Sequence, residues 1–297
     1  MQTLYTLDTL ETDVKPGEPV KLLQKHFDGS RALLIYLIQF LSEVLQYAET
    51  DAHQRASKHL PTPEDLNVNT KIAGNELLWR IREDASFAAA RDAEKTDKRI
   101  DKDLVRRTYQ RMVETPQYQA YIASPERKPE EEKSIAHFVW EELMLPDENF
   151  LGHIEERFMN WDDDGDMVIQ LFQLYLAKPA SIDFRTIISP DKWLFAKGLL
   201  QAVLEKKEHL ETYIHPRLKN WDAERIAVLD MILMKMGVAE LLYFETIPPK
   251  VTINEYIDLA KEYSTAQSGQ FVNGILDNVH KDLVQEGKLQ KTEYKKA

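Results

Sequence analysis

The sequence predicts an all-α protein, and three observations lead to that class. Apolar residues recur at helical spacing through most of the chain, as at Val272, Ile275, Leu276, Val279 and Leu283. Glycine is scarce, 10 among 297 residues, while 30% of residues are charged and 43% hydrophobic, a balance suited to amphipathic helices. No alternation of apolar and polar residues is sustained long enough to read as a strand, and no internal repeat is present. A chain of this length can bury a large core, as one big domain or two modest ones.

Met1 to Glu11 carries Leu4, Leu7 and Leu10 at helical spacing with no convincing N-cap before Leu4, so the chain is expected to begin inside a helix. Asp13 to Pro19 reads as a Pro/Gly linker. A long helix follows from Val20 to about Arg55, with a strongly apolar run from Leu33 to Leu45. Leu60-Pro61-Thr62-Pro63 breaks it, and Glu64 to Thr70 reads as loop. Shorter helices are expected over Asn75–Ile81, Asp101–Glu114, Glu131–Leu143 and Phe150–Met159. An apolar helix runs over Asp166–Ala177, and Asp183–Pro190 reads as loop. Asp191 to Tyr213 is amphipathic, and Pro216 redirects the chain.

The stretch from Asn220 to Lys288 has the clearest punctuation. Its first helix, about Asp222 to Tyr243, is apolar on almost every face, interrupted only by Asp230, Lys235 and Glu240; such a helix is buried. Pro248 and Pro249 stop continuation, and Thr252 with Glu255 reads as a capping box for the next helix. Ser268 reads as the N-cap of the last helix and Gly287 as its C-terminal glycine.

Composition excludes several classes of chemistry. There are no cysteines, so disulfides and thiolate catalysis are ruled out. No run is long and apolar enough for a bilayer, and Met1 to Leu10 lacks the basic start of a signal peptide, so a cytoplasmic protein without membrane contact is expected. The net charge of −12 argues against non-specific nucleic-acid binding. The acidity is uneven, however. From Pro190 onward 15 Lys/Arg stand against 16 Asp/Glu, whereas the preceding residues hold 23 against 34. An RNA contact is therefore more plausible in the C-terminal part, whose tail carries Lys288, Lys291, Lys295 and Lys296, although such tails are usually solvated.

Asn160-Trp161-Asp162-Asp163-Asp164-Gly165-Asp166 superficially matches a calcium loop, but the bidentate glutamate required at its twelfth position is Leu171. An acidic turn capping the next helix is the better reading. His26, His53, His59 and His137 show no metal-ligand spacing, and neither a Gly-rich phosphate loop nor a nucleophile elbow is present. No enzyme, metal or cofactor is expected.

Three runs carry a family resemblance: Trp221-Asp222-Ala223-Glu224-Arg225-Ile226-Ala227, Ile247-Pro248-Pro249-Lys250-Val251-Thr252-Ile253-Asn254-Glu255, and Ser268-Gly269-Gln270-Phe271-Val272-Asn273-Gly274-Ile275-Leu276-Asp277. In order and spacing they resemble the C-terminal half of the NusB family of transcription antitermination factors. The close match runs from about Trp193 to Leu283, and Met1-Gln2-Thr3-Leu4-Tyr5 is similar to the middle of the family's first helix. An arginine-rich segment that precedes that point in the family has no counterpart here. The remainder resembles a long variant of Bacteroidetes type. The resemblance implies a NusB-like helical bundle made of residues 1–19 and 187–297, with residues 20–186 as an acidic helical insertion.

It also implies a non-catalytic function. The family pairs with NusE, a small-subunit ribosomal protein, on single-stranded boxA leader RNA, within the RNA polymerase antitermination complex of ribosomal RNA synthesis. Two alternatives come from the same resemblance: an interaction module without RNA binding, and a helical partner of a ribosomal RNA methyltransferase.

By resemblance, Lys235, Lys250, Tyr263, Gln267, Ser268, Gln270 and Phe271 form an RNA-binding group. Lys235 is either a snorkelling side chain at the bundle edge or a phosphate contact. Phe271 either packs in the core or stacks on an unpaired base beside Gln270, at a helix start whose free N–H groups favour phosphate. Gln267, Ser268 and Gln270 offer hydrogen bonds to base edges. Tyr5, Glu224 and Asp230 correspond to positions that face NusE, where carboxylates suit a basic partner. Asp222 and Glu224 also have a structural reason in a helix's first turn. Asp230, read as mid-helix among Leu229, Met231 and Ile232, has none.

Overall fold

The computed structural model describes residues 1–10, 15–218 and 226–292, and every regular element among them is helical. The chain divides into two compact units, one of Met1–Lys25 with Ile188–Ala297, the other of His26–Ile187. Helix α1 (Gln2–Thr9) belongs to the first, and α2 (Glu18–Ala56) runs through the point of division. Gly17, at φ +86°, takes the left-handed turn that starts α2 just ahead of the expected Val20.

In the His26–Ile187 unit the apolar run of α2, Leu33 to Leu45, lies in the core as its sequence predicts. Around it come α3 (Pro63–Leu66), α4 (Glu76–Glu83), α5 (Ala85–Glu94), α6 (Lys102–Val113), α7 (Pro116–Ala123), α8 (Pro129–Phe138), α9 (Glu148–Arg157) and α10 (Trp161–Ala177). Capping sets most of these starts. Thr62, Asn75, Asp84, Asp101, Thr115 and Asp147 each accept a backbone N–H from the first turn that follows. Four elements differ from expectation. The loop over 64–70 contains α3, closed by a capping box between Thr62 and Asp65. α5 and α7 were not anticipated, being short and starting at single Asp and Thr caps. α10 starts at Trp161, so the acidic run is its first turn, and Asp164 accepts from Ser30 (2.6 Å) and Asn160 (2.8 Å) rather than curling around an ion.

Past Phe138 the helix widens into a π-helical stretch, Val139–Met144, which seats Trp140 and Met144 in the core with Trp140 against Phe172. The unit also contains a polar pair of the buried Tyr36 and the half-buried His153, Oη and Nε2 at 2.6 Å. Burial, then the neighbouring Arg157, holds His153 below the usual histidine range, and burial pushes the Tyr36 hydroxyl up to about 12. The folded-state value of His153 lies below its unfolded value of about 6.5, so protons bind the unfolded chain better. Its stabilising contribution is complete above that unfolded value and is lost as pH falls below it. Melting between pH 7.5 and pH 5.5 should therefore show a smaller pH-dependent loss in His153→Gln than in the parent protein.

The unit of Met1–Lys25 with Ile188–Ala297 is built around α13 (Val228–Tyr243). Before it come α11 (Pro190–Glu205) and α12 (Lys207–Ile214), and after it α14 (Pro249–Tyr263) and α15 (Ser268–Gln285). α1, α11, α12, α14 and α15 all pack on α13. This is why α13 is buried from Ile232 to Leu241 with no polar face, as expected for a helix apolar all round. The amphipathic stretch after Asp191 is two helices rather than one, parted at Lys206. α15 ends as Gly287 predicts. Gly287 has φ +66°, Lys288 N–H donates to Leu283 O (2.9 Å) and Gly287 N–H to Val284 O (3.2 Å), the paired bonds of a Schellman cap.

Candidate functional site

The helices α13, α14 and α15 meet without a gap because Gly237 has no side chain. A Cβ there would lie 2.8 Å from both methyls of Leu276 and 3.2 Å from the ring of Tyr256. Beside this contact Glu240, although buried, is satisfied: Thr252 Oγ1 donates to one oxygen (2.7 Å) and Tyr256 Oη to the other (3.0 Å). Burial, then the adjacent Glu240 carboxylate, pushes the Tyr256 hydroxyl well above its usual range. The expected capping box between Thr252 and Glu255 does not form. α14 starts at Pro249, a favourable first helical residue four before the Ile253 that a Thr252 cap would give, and the Thr252 hydroxyl turns inward to Glu240.

A second polar knot fixes the α14–α15 junction. The buried Ser268 hydroxyl donates to Asp230 Oδ2 (2.8 Å) and accepts from Thr265 N–H (3.2 Å), with Ser264 Oγ at 3.0 Å and Thr265 Oγ1 at 2.8 Å. Ser268 is thus the first residue inside α15 rather than its cap, and its hydroxyl serves the preceding turn. Asp230 is not mid-helix. α13 starts at Val228, so Asp230 lies in the first turn, where a carboxylate complements the helix dipole. It is 5% exposed.

The residues anticipated for RNA sort by position. Gln267 and Gln270 are exposed at the start of α15, with Phe271 half-buried beside them and packed on the core. Tyr263, half-buried, ends α14 and so reaches the same junction. Lys250 is exposed in the first turn of α14, thirteen residues before Tyr263 and so about 20 Å away along the axis. Lys235 is 8% exposed, and its Nζ stands 2.7 Å from Glu211 Oε1. That hydrogen bond holds the Glu211 carboxyl below the usual carboxylate range.

Tyr5 is 47% exposed on α1, and Glu224 lies outside the described residues. A small notch of about 190 Å³ brings Leu4, Leu7 and Asp8 of α1 together with Lys207 and Lys235. The α1 element carrying Tyr5 and the Lys235 side chain thus lie near one another, although sequence placed them in separate groups.

Two lysines of the tail are engaged rather than freely solvated. Lys291 Nζ donates to the Glu240 (3.0 Å) and Phe244 (2.8 Å) carbonyls at the C-terminal end of α13, and burial lowers its pKa. Lys288 pairs with Glu286 at 2.7 Å. Lys295 and Lys296 lie outside the described residues. Sequence gave no sign of the Lys291 cap, because its partners lie some fifty residues earlier. Among the described residues no cluster of three or more His, Asp or Glu side chains is arranged to hold a metal, and no helix is long and apolar enough to cross a membrane.

Residues 159–281 match the model of the NusB family. The transcription antitermination protein NusB of Salinibacter ruber is 44% identical over 98 residues, 33% of this chain and 61% of that protein. Its namesake in Chloroherpeton thalassium is 40% identical over 98 residues, 33% of this chain and 46% of that protein. The one in Methylacidiphilum infernorum is 44% identical over 100 residues, 34% of this chain and 69% of that protein. Among solved structures, T. maritima NusB is 32% identical, with 33% of this chain and 72% of that chain covered and a TM-score of 0.31. The chain thus spans 61% and 46% of the first two relatives' lengths but more than two thirds of the third. On that identity and coverage, the chain belongs to the NusB family.

Proposed function

We propose that the protein is a non-catalytic transcription antitermination factor that works in the cytoplasm by assembly. The observation that carries this reading is the 44% identity to the NusB of Methylacidiphilum infernorum over 69% of that protein's length. In this reading the helices around α13 are the NusB-like core, and residues 20–186 are an acidic insertion. The start of α15 contacts single-stranded boxA RNA through Gln267, Gln270 and Phe271, with Ser268 holding the turn. Tyr263 flanks it at the end of α14, and Lys250 takes phosphate farther along the strand. Tyr5 and Glu224 face the ribosomal protein NusE, and the pair enters the antitermination complex on RNA polymerase. Lys235 joins the RNA group only by releasing Glu211, and Asp230 acts on the partner surface through the Ser268 turn.

Two weak surfaces on two proteins reading one RNA combine their affinities, so the pair binds far better than either alone. A titration of labelled boxA-like RNA with the full chain, alone and with NusE, at two salt concentrations tests this. The expected result is binding that tightens with NusE and weakens with salt, with log–log slope near −0.7 per neutralised phosphate. NusE binding with no RNA response would leave a protein-interaction module, a reading that the engagement of Lys235 with Glu211 also suits. No binding of either partner would limit the family relation to fold.

A further inference from the structure

The notch of about 190 Å³ beside α13 lies wholly within the unit of Met1–Lys25 with Ile188–Ala297. Leu4 and Leu7 of α1, Val203 and Leu204 of α11 and Ile232 of α13 wall it with apolar side chains. An apolar hollow of about 150 Å³ accepts a molecule the size of benzene, so this one has room for a branched chain of about four carbons. Three charged side chains stand at the same notch: Asp8, Lys207 and Lys235. Lys235 is engaged by Glu211, at 2.7 Å. Asp8 and Lys207 are both exposed, and among the described residues neither side chain forms an ion pair or a hydrogen bond.

Each of these two charges also stands at the unfavourable end of its helix. Asp8 is in the last turn of α1, where the dipole favours a cation. Lys207 is the first residue of α12, where the dipole favours an anion. Neither charge serves its own helix, and each lacks a protein partner. A ligand that sets an ammonium group on Asp8 and a carboxylate on Lys207 complements both side chains and both helix ends. In a hollow this small the two charges lie within reach of one compact molecule. An internal residue of a polypeptide brings neither charge, and a chain terminus brings one. A simple apolar acid leaves Asp8 facing a second carboxylate. A free α-amino acid brings both charges on one carbon, beside its side chain. We propose that the notch binds a free aliphatic α-amino acid. Its ammonium pairs with Asp8, its carboxylate with Lys207, and its side chain lies among Leu4, Leu7, Val203 and Ile232. Because the walls come from α1, α11 and α13, the bound molecule ties α1 to the bundle. The notch is separate from the α14–α15 junction and rests on neither RNA nor NusE binding.

The test is calorimetric titration of the full chain with L-leucine and with three analogues. Isocaproate lacks the ammonium group, isoamylamine lacks the carboxylate, and glycine lacks the side chain. The expected result is that leucine binds and that each analogue binds about tenfold more weakly. Asp8→Asn and Lys207→Met should each bind leucine about tenfold less well than the parent. Asp8→Asn should also cease to distinguish leucine from isocaproate, and Lys207→Met should cease to distinguish leucine from isoamylamine. Without ligand both variants should melt at or slightly above the parent temperature, since each removes a charge opposed to a helix dipole. A lower melting temperature in either variant would reveal a structural partner for that charge and overturn the proposal. So would the absence of leucine binding, equal binding of isocaproate by the parent, or unchanged leucine binding by the variants.

Discussion

Gly237→Val is expected to destabilise the α13–α15 bundle by about 2–3 kcal/mol, because the new side chain has nowhere to go. Its Cβ alone would fall 2.8 Å from two methyls of Leu276, which is fully buried. Tyr256 closes the other side, and its hydroxyl is already committed to Glu240. Relief requires α15 to move off α13, which would loosen the packing that presents the α14–α15 junction. Gly274→Ala on α15 is the control. Nothing lies within 4 Å of its would-be Cβ, so this change should stabilise by about 0.4–1 kcal/mol through the unfolded chain. Denaturant melts of both variants check the pair. Equal effects of one sign would mean that the α13–α15 contact is not as close as described.

The second large effect lies in the other unit. Glu132 is 1% exposed, and its carboxylate accepts from Tyr121 Oη (2.8 Å), from Glu76 N–H (2.8 Å) and from Arg127 (3.2 Å). Arg127 itself reaches the Gly74 and Lys71 carbonyls, so one carboxylate ties together the starts of α4 and α8 and the end of α7. Glu132→Ala leaves a buried hydroxyl and a helix-start N–H without their acceptor, and leaves Arg127 with only its two carbonyls, at a cost of about 2–4 kcal/mol. Glu132→Gln keeps the size and an acceptor, and should recover part of that loss. Chemical denaturation of the two variants measures the difference; a Glu132→Ala protein as stable as the parent would show that the network is not structural.

Much of the bundle was legible because its signals are local. Pro248-Pro249, Gly287 and the apolar surface of α13 act within a few residues, and each marks the boundary or burial that it predicts. What escaped depends on partners distant in sequence. Thr252 was assigned to the nearest glutamate, whereas burial offered it Glu240 from another helix. A helix running from Asp222 leaves Asp230 unexplained; with α13 starting at Val228 it has both a dipole and Ser268. Lys235 was recognised as an odd charge in an apolar helix, but its answer is Glu211, twenty-four residues earlier. The short helices α5 and α7 escaped because a single Asp or Thr cap starts each. At the site itself, the resemblance puts Lys250 and Tyr263 on one surface with Gln267, Gln270 and Phe271, whereas Lys250 lies about 20 Å from Tyr263 along α14.

The central claim, that the start of α15 reads RNA in company with a ribosomal protein, is most directly tested by the boxA affinity of Gln270→Glu measured with NusE present. Gln270 is exposed and is not among the residues proposed to face NusE, so the substitution is expected to leave the fold and the partner contact intact. A carboxylate placed at this helix start repels phosphate and removes an amide from the base edges. The predicted result is RNA affinity reduced by about tenfold, or about 1.4 kcal/mol, with NusE affinity and melting temperature unchanged. Unchanged RNA affinity in the complex would contradict the claim and move RNA binding, if it exists, to another face of the protein.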